Sequence, residues 1–492
     1  MVVAEERLGR LKEKGTVSAV WTKIDTWTAL TAALAAMACA VPGTFLVLRR
    51  QSMLGDALSH TVLPGIVAAF LAAYWLGIVG PHSEGGSTMQ FVLLGGAVVA
   101  GLLTAFLTEA VQRLGRVENS AALGVVYTSL FALGLLMVRL YADDVHLDAD
   151  CVLFGAVETV VLDTVGDSDV PTAAVLNGSV LIANLLLLGV CFKELRLTTF
   201  DPDLSTSLGL NSTLVHYILM AITSVTLVAA FQSVGAILVI TVLVAPPVAA
   251  FLLSERLHIM IVLALAIAGG SAFLGHALAL WTPGAIFGSL GFSTVDDSST
   301  AGMTAIVCGM AFGLAFLFSP RRGIVVQTVR QSLLGFRILC EDCLGILYRN
   351  EEASSEAASG ASPFVNVSVL ETLRGRLACW RLSRQGFVAS ANGNWVLTDS
   401  GREHAEHLVR SHRLWESYMA RHFSLPDDHL HDAAHRVEHF LDVPMVDQLE
   451  QELEQPGLDP HGRSIPGRSK GQAESDGKNP GPAENMNRRE EK

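Results

Sequence analysis

The amino-acid sequence predicts an all-α polytopic membrane protein with eight or nine transmembrane helices, followed by a cytoplasmic domain of winged-helix-like and helical character. Three observations carry this reading. The 492 residues are 51% hydrophobic and only 16% charged, which is too apolar for a soluble chain of that length. Charge is also unevenly spread: residues 24 to 320 hold 27 acidic and basic residues in 297 positions, whereas residues 321 to 492 hold 46 in 172. The first stretch therefore reads as membrane-embedded and the second as a soluble domain with a tail, which excludes both a single globular enzyme and a fully membrane-buried chain. Third, about 20 apolar residues cross a bilayer as a helix, and nine such runs occur, near 28–48, 53–79, 88–112, 121–140, 172–192, 213–231, 234–253, 258–280 and 302–318.

The connections between these runs set the orientation. Arg49 and Arg50, Arg113 and Arg116, Lys193 and Arg196, Arg256, and Arg321 and Arg322 fall in alternate connections, while 80–87, 141–171 and 281–301 contain no Lys or Arg. The basic connections are expected inside, so the C-terminal domain is cytoplasmic and the protein a multi-pass component of the inner (plasma) membrane. No cleavable signal is expected, since the first apolar run starts late and a second follows it directly. The net charge of −13 argues against a basic nucleic-acid binder. The seven Cys show neither zinc-ribbon pairing nor a disulfide framework.

Polar residues inside spans are costly and become functional candidates. In the segment Met53 to Phe70, Asp56 and His60 lie four residues apart and share one helix face. A carboxylate oxygen and an imidazole nitrogen on one face suit a divalent first-row metal such as Mn, Fe or Zn. The alternative is that Asp56 caps the second span and His60 is a packed polar residue. Pro64 crowds the carbonyl of His60, and Pro246-Pro247 is expected to break the helix ladder of a later span as a hinge. Residues 141–171 combine eight Asp and Glu with His146 and no basic residue, a field that would concentrate cations or simply a solvated loop. Phe200 to Asn211 is a polar segment between spans in which Asp201-Pro202 opens a short helix, with Leu204, Leu208 and Leu210 available for docking. No G-x-x-x-x-G-K-[ST] motif occurs, so any ATP-derived energy must come from another polypeptide.

In the second half, residues 324–350 are amphipathic, with Val325, Val329, Leu333, Phe336, Leu339, Cys343 and Leu347 spaced three or four apart. Residues 351–362 read as a polar linker. Helices are expected over 369–388, ending at Gly386, then a short strand at Trp395-Val396-Leu397, and two long helices at 398–418 and 429–453. From Pro456 the composition reads as a disordered tail. Nine of the 15 His lie between His404 and His461. His412 and Glu416 are four apart, while His431, His435, Glu438 and His439 follow i, i+4, i+7, i+8 and share one face, a stripe that points to metal binding rather than to core. A zinc-protease reading fails because Glu403-His404-Ala405-Glu406-His407 contains no His-Glu-x-x-His.

The runs GDALSHTVLPGIVAAF, VENSAALGVVYTSLFALGLLM (117–137), FDPDLSTSLGLN (200–211), VGAILVITVLVAPPVAAFLL (234–253) and FSPRRG (318–323) resemble the permease subunits of ABC importers for manganese, zinc and iron. The resemblance covers residues 28–323 in order. It implies a permease homodimer in membrane lipid, a separate cytoplasmic ATPase and an extracytoplasmic metal-binding protein. It also places Asp56 and His60 on the transported-metal path, and assigns ATPase coupling to Phe200, Asp201, Pro202, Leu204, Leu208 and Gly209.

LTDSGREHAEHLVRSHRLWESYM (397–419), LHDAAHRVEHFL (430–441) and DPHGRSIP (459–466) resemble the metal-dependent repressors of the diphtheria toxin repressor and manganese regulator family. The resemblance implies a regulatory divalent metal (Mn, Fe or Zn) with His412, Glu416 and His431 on one site and Glu438 and His439 on the other. His435 takes a position filled by Cys or Glu in relatives, and Asp342 matches an acidic first-helix ligand. The stretch 363–388, where a recognition helix should lie, is several residues short and lacks a Ser/Thr-rich start, a departure that argues against DNA binding. The expected organisation is an N-terminal segment (1–27), a permease domain (28–323), an amphipathic helix and linker (324–362), a repressor-like metal-sensing domain (363–455) and a tail (456–492). Two alternatives stand beside this reading: a membrane-tethered, metal-dependent DNA-binding regulator, and an intramembrane metalloenzyme using Asp56 and His60.

Overall fold

The computed structural model describes residues 21–76, 87–141, 157, 161, 163–164, 170–289, 298–357, 368–391, 394–423, 434–435 and 437–467. The chain forms two compact units, Met1–Gln327 and Thr328–Lys492.

The first unit is a helical bundle: α1 (Lys23–Leu48), α2 (Ser52–Trp75), α3 (Ser87–Gly115), α4 (Asn119–Tyr141), α5 (Thr172–Val190), the short α6 (Phe192–Phe200) and α7 (Pro202–Ser207), then α8 (Ser212–Leu253), α9 (Leu257–Ser289) and α10 (Thr300–Phe318). Among the described residues seven helical segments are long and apolar enough to cross a membrane, and two shorter apolar ones, His60–Trp75 and Ile237–Leu253, complete the nine runs read from the sequence. The acidic connection 141–171 falls almost wholly outside the described residues.

The helix at the centre is α1. Thr22 caps it, accepting from the Asp25 amide at 3.3 Å while the Thr22 amide donates to Asp25 Oδ2 at 2.7 Å, which satisfies donors the first turn leaves orphaned. Ala29, Ala32, Ala33, Ala36 and Ala40 are fully or almost fully buried, so α8 and α9 approach it closely. Without a hydrophobic driving force between helices in lipid, small residues and interhelical hydrogen bonds hold such a bundle together. Asn184 of α5 shows the second device, donating to the Ala38 carbonyl at 3.1 Å and to Thr226 Oγ1 at 3.0 Å. Asn177 donates to Ser233 Oγ at 2.9 Å.

One expectation fails in α8. The helix runs on through Pro246 and Pro247 and breaks instead at Gly235, at φ 76° and ψ 164°. That backbone position favours a residue without Cβ, whereas a proline removes one ladder bond and leaves φ helical.

The second unit begins on α11 (Ile324–Ala357), followed by α12 (Ser368–Glu371), α13 (Leu373–Arg384), strands β1 (Val388–Ala391) and β2 (Asn394–Leu397), α14 (Asp399–His422), a 3₁₀ turn at Glu438–Phe440 and α15 (Val443–Glu452). The strands form an antiparallel hairpin with Val388 opposite Leu397, giving the helix–helix–hairpin order of a winged helix. Cys343, Leu344, Ala378, Cys379, Leu382, Val388 and Ala405 form its core.

Three boundaries differ from the sequence reading. The expected linker is helical as far as Ala357, because Glu351 pairs with Arg402 at 3.0 Å and Glu352 forks onto Arg413 at 2.6 and 3.1 Å. A single helix over 429–453 is not formed: Leu441 is extended and Asp442 caps a new helix by accepting from the Met445 amide at 3.1 Å, with Pro444 in its first turn. Residues 457–467, read as part of a disordered tail, are folded, since Asp459 Oδ1 accepts the His461 and Arg463 amides at 2.9 and 2.8 Å and Arg413 and Arg410 donate to the Ser464 and Pro466 carbonyls.

A Cβ at Gly65 of α2 would lie 2.4 Å from the Gly96 carbonyl oxygen of α3, while one at Gly124 meets nothing within 4 Å. Gly65→Leu is therefore expected to lower bundle stability by about 1–3 kcal/mol, read as a fall in thermal midpoint in detergent, and Gly124→Ala to leave the midpoint unchanged.

Candidate metal centre

The second unit brings charged side chains from three segments to one place. Asp342 is presented by α11, His412 and Glu416 by successive turns of α14, and His435, Glu438 and His439 by the segment ending in the 3₁₀ turn. One donor atom from each of Asp342, His435, Glu438 and His439 lies within 4.8 Å of the others. Ligand bonds of about 2.0–2.2 Å put opposite ligands roughly 4.2 Å apart, so the spread fits one first-row cation. His439 Nε2 and Asp342 Oδ1 face each other at 3.1 Å, yet neither atom makes a hydrogen bond. Buried polar atoms normally do, and atoms aimed at a shared centre rather than along an N–H direction have this arrangement.

A second group, Glu416, Asp459 and His461, also lies within 4.8 Å. His412 joins the two groups: its Nε2 meets Glu416 Oε1 at 3.1 Å and its Nδ1 meets Glu438 Oε2 at 2.6 Å. The structure thus places His412 between the two expected sites rather than within one. It draws Asp342 into the Glu438–His439 group, and Cys343, its neighbour, points into the apolar core. His431 lies outside the described residues. Three participants were not anticipated. Glu341 accepts from His439 Nδ1 at 2.9 Å, fixing which ring nitrogen faces Asp342. Asp459 and His461 arrive from the turn at 459–463, which the DPHG signature marks but whose fold onto α14 no local spacing reveals.

Electrostatics keep the group charged. Burial alone would raise the Glu438 carboxyl, but hydrogen bonds from His412 and His435 outweigh it and hold the group near pKa 2. Burial likewise opposes the His439 imidazolium, and the carboxylates of Asp342 and Glu341 overcome it, pushing the group to about 9. His412 is raised against burial by Glu416 and Glu438, and His435 chiefly by its hydrogen bond from Nδ1 to Glu438 Oε1 at 2.8 Å. Without metal, protons on these imidazoles compensate the carboxylates. A divalent cation bound there would have to displace them.

In the first unit, Asp56 and His60 occupy successive turns of α2. The His60 ring is 5.1 Å from that of Phe131 and 6.1 Å from that of Tyr127, both on α4. The Asp56 side chain lies outside the described residues. In the segment between spans, Asp201 caps α7 by accepting from the Leu204 amide at 2.9 Å, Gly209 turns the chain at φ 85°, and Phe200, Leu204 and Leu208 stay exposed. Phe200, Asp201 and Leu204 border a cleft of about 680 Å³ closed on its other side by Glu255, Arg256 and His258.

A multi-pass helical bundle with a capped polar helix between spans, continued by a winged-helix unit that gathers carboxylates and imidazoles, defines a membrane permease with an appended regulator-type domain. The chain belongs to the ABC 3 transport family, whose profile matches residues 23–319. Residues 398–467 match the iron dependent repressor, metal binding and dimerisation domain. Over 309 residues the chain is 40% identical to the manganese transport system membrane protein MntD of Bacillus subtilis, covering 62% of this chain and 96% of that one. It is 42% identical over 298 residues to the zinc transport system membrane protein TroD of Treponema pallidum, covering 60% and 74%. The probable metal transport system membrane protein of Chlamydia pneumoniae is 28% identical over 462 residues, which is 90% of this chain and 96% of that one.

The shifts fix a pH response for the metal-free protein. Glu438 titrates near 2 when folded against an ordinary 4.5, so its contribution is present above about 4.5 and is lost as pH falls toward 2. His439 titrates near 9 against an ordinary 6.5, so its contribution is full below 6.5 and is lost as pH rises to 9. In chelator the second unit is expected to unfold at progressively lower temperature from pH 6.5 to 9, followed by calorimetry. His439→Gln should flatten that slope without removing it, because His412 and His435 are raised as well.

Proposed function

We propose that this chain is the permease subunit of an ATP-driven importer of a divalent metal ion, with a cytoplasmic domain that senses the imported ion and restrains further import. The observation that carries the sensing part is the convergence of Asp342, His435, Glu438 and His439 in a unit covalently continuous with an ABC 3 permease. Support for the cargo comes from relatives named for manganese and zinc transport. The donor set agrees, since mixed carboxylate and imidazole ligands suit Mn, Fe and Zn alike.

In this reading Asp56 and His60 offer the ion a carboxylate and an imidazole on one face of α2, replacing part of its hydration within the bundle. An ATPase subunit hydrolyses ATP and grips the exposed face of Phe200, Leu204 and Leu208 on and beside α7. An extracytoplasmic binding protein delivers the ion, and two copies of the permease form the pathway. The regulatory ion is held by Asp342, His435, Glu438 and His439, with His412 relaying to Glu416. A cytoplasmic site fills only after import has raised the internal concentration. It restrains transport only if the ion binds the closed state more tightly, because a ligand with equal affinity for both states shifts nothing.

Two outcomes test the two halves separately. Asp56→Asn and His60→Ala should each cut radiolabelled metal uptake on the order of tenfold or more while the ATPase still co-purifies. Wild-type uptake by both variants refutes the path assignment. His439→Gln, by contrast, should transport at the normal initial rate but keep importing when internal metal is already high, where wild-type uptake slows. Identical curves for the two proteins refute feedback and leave the permease assignment intact.

A further inference from the structure

Helix α13 occupies the recognition-helix place of the winged helix, yet its outward face is unlike a reader of DNA. Gly375, Ala378, Cys379 and Leu382 are buried, and the opposite face carries Leu373, Leu377 and Trp380, exposed by 78%, 50% and 52%. At 100° per residue these three lie on one line. Arg376 flanks the line on one side and Arg374 and Arg381 on the other, and Arg384 continues it with its guanidinium 4.3 Å from the Trp380 ring centroid. No acidic residue occurs between Leu373 and Arg384.

We infer that this face of α13 docks on the anionic cytoplasmic surface of the bilayer. The inference goes beyond the transport and sensing reading and does not depend on metal. Apolar side chains, one of them Trp, ringed by Arg are the composition of an interfacial helix, in which the apolar line enters the headgroup boundary and the guanidinium groups meet lipid phosphates. DNA would present phosphates too, but the positions facing a groove would then be Leu, Leu and Trp, whereas base edges are read by polar side chains. The tether favours lipid as well: only residues 319–323 separate the last apolar helix from α11, so the bilayer is presented at high effective concentration.

The test uses the full chain in nanodiscs, comparing neutral phosphatidylcholine with the same lipid carrying phosphatidylglycerol, and reads hydrogen–deuterium exchange. Amides of 373–384 should exchange slower on the order of tenfold in the anionic discs. The difference should vanish in about 1 M salt, where the screening length falls to roughly 3 Å. It should also vanish in a Leu377→Ser/Trp380→Ser variant, with exchange across 399–422 unchanged as the control for folding. Equal exchange of the wild-type protein in the two lipids overturns the proposal whatever the variant does. So does protection that arises in detergent only on adding duplex DNA, or that grows with protein concentration and so marks a second copy of the chain.

Discussion

The buried carboxylate of Glu438 is the group around which the cytoplasmic unit is arranged. A lone carboxylate in that position would be strongly destabilising, since removing the partners of a buried charge costs about 3–5 kcal/mol. His412 approaches from α14 and His435 from its own segment, while Asp342 and Glu341 on α11 hold His439 beside it. Each contact ties a different element to the same point, so the positions of α11, α14 and the 3₁₀ turn are coupled through it. Protons on the imidazoles balance the acids when no cation is present, and a divalent ion can replace those protons without rebuilding the frame. The same network therefore holds the fold and, in the function proposed above, would serve as the metal site.

The membrane unit meets the related requirement by different means. Lipid offers no partner to a polar group, so Asn177 and Asn184 are spent on neighbouring helices, and close approach is secured by Ala on α1 and by the Gly65–Gly96 contact. The break at Gly235 divides α8 into two helical segments. The FSPRRG segment fastens the other end: Ser319 Oγ donates to the Leu252 carbonyl at 2.5 Å, Arg321 pairs with Glu255, and Arg322 stacks on Phe251.

Much of this was legible in the sequence because the signals are local. Among the described residues the nine apolar runs reappear as seven helical segments long enough to span and two shorter ones, and Asp201, read as opening a short helix, is the residue whose side chain caps it. The i, i+3, i+4 register of His435, Glu438 and His439 survives because even a 3₁₀ turn keeps these residues on one side. What escaped depends on tertiary choice. Two adjacent prolines outweigh a glycine in any local reading of α8, yet the backbone breaks where φ must be positive. Glu351 and Glu352 read as linker because their Arg partners lie 51 and 61 residues away. Asp459 and His461 reach Glu416 only because a turn folds back under Arg410 and Arg413. The resemblance placed His412 with Glu416 and His431, and no local pattern shows that its other nitrogen meets Glu438.

The central claim, that the cytoplasmic cluster is a metal site whose protons a cation displaces, is tested most directly by calorimetric titration of the full-length protein with Mn, Fe or Zn in two buffers of different ionisation enthalpy. The account predicts saturable binding whose apparent heat differs between the buffers, reporting net proton release. It also predicts that an Asp342→Asn/His439→Gln double variant loses the proton-releasing binding event while keeping its fold. Binding of the same stoichiometry and proton count in that variant, or no proton release from the wild-type protein, would contradict it.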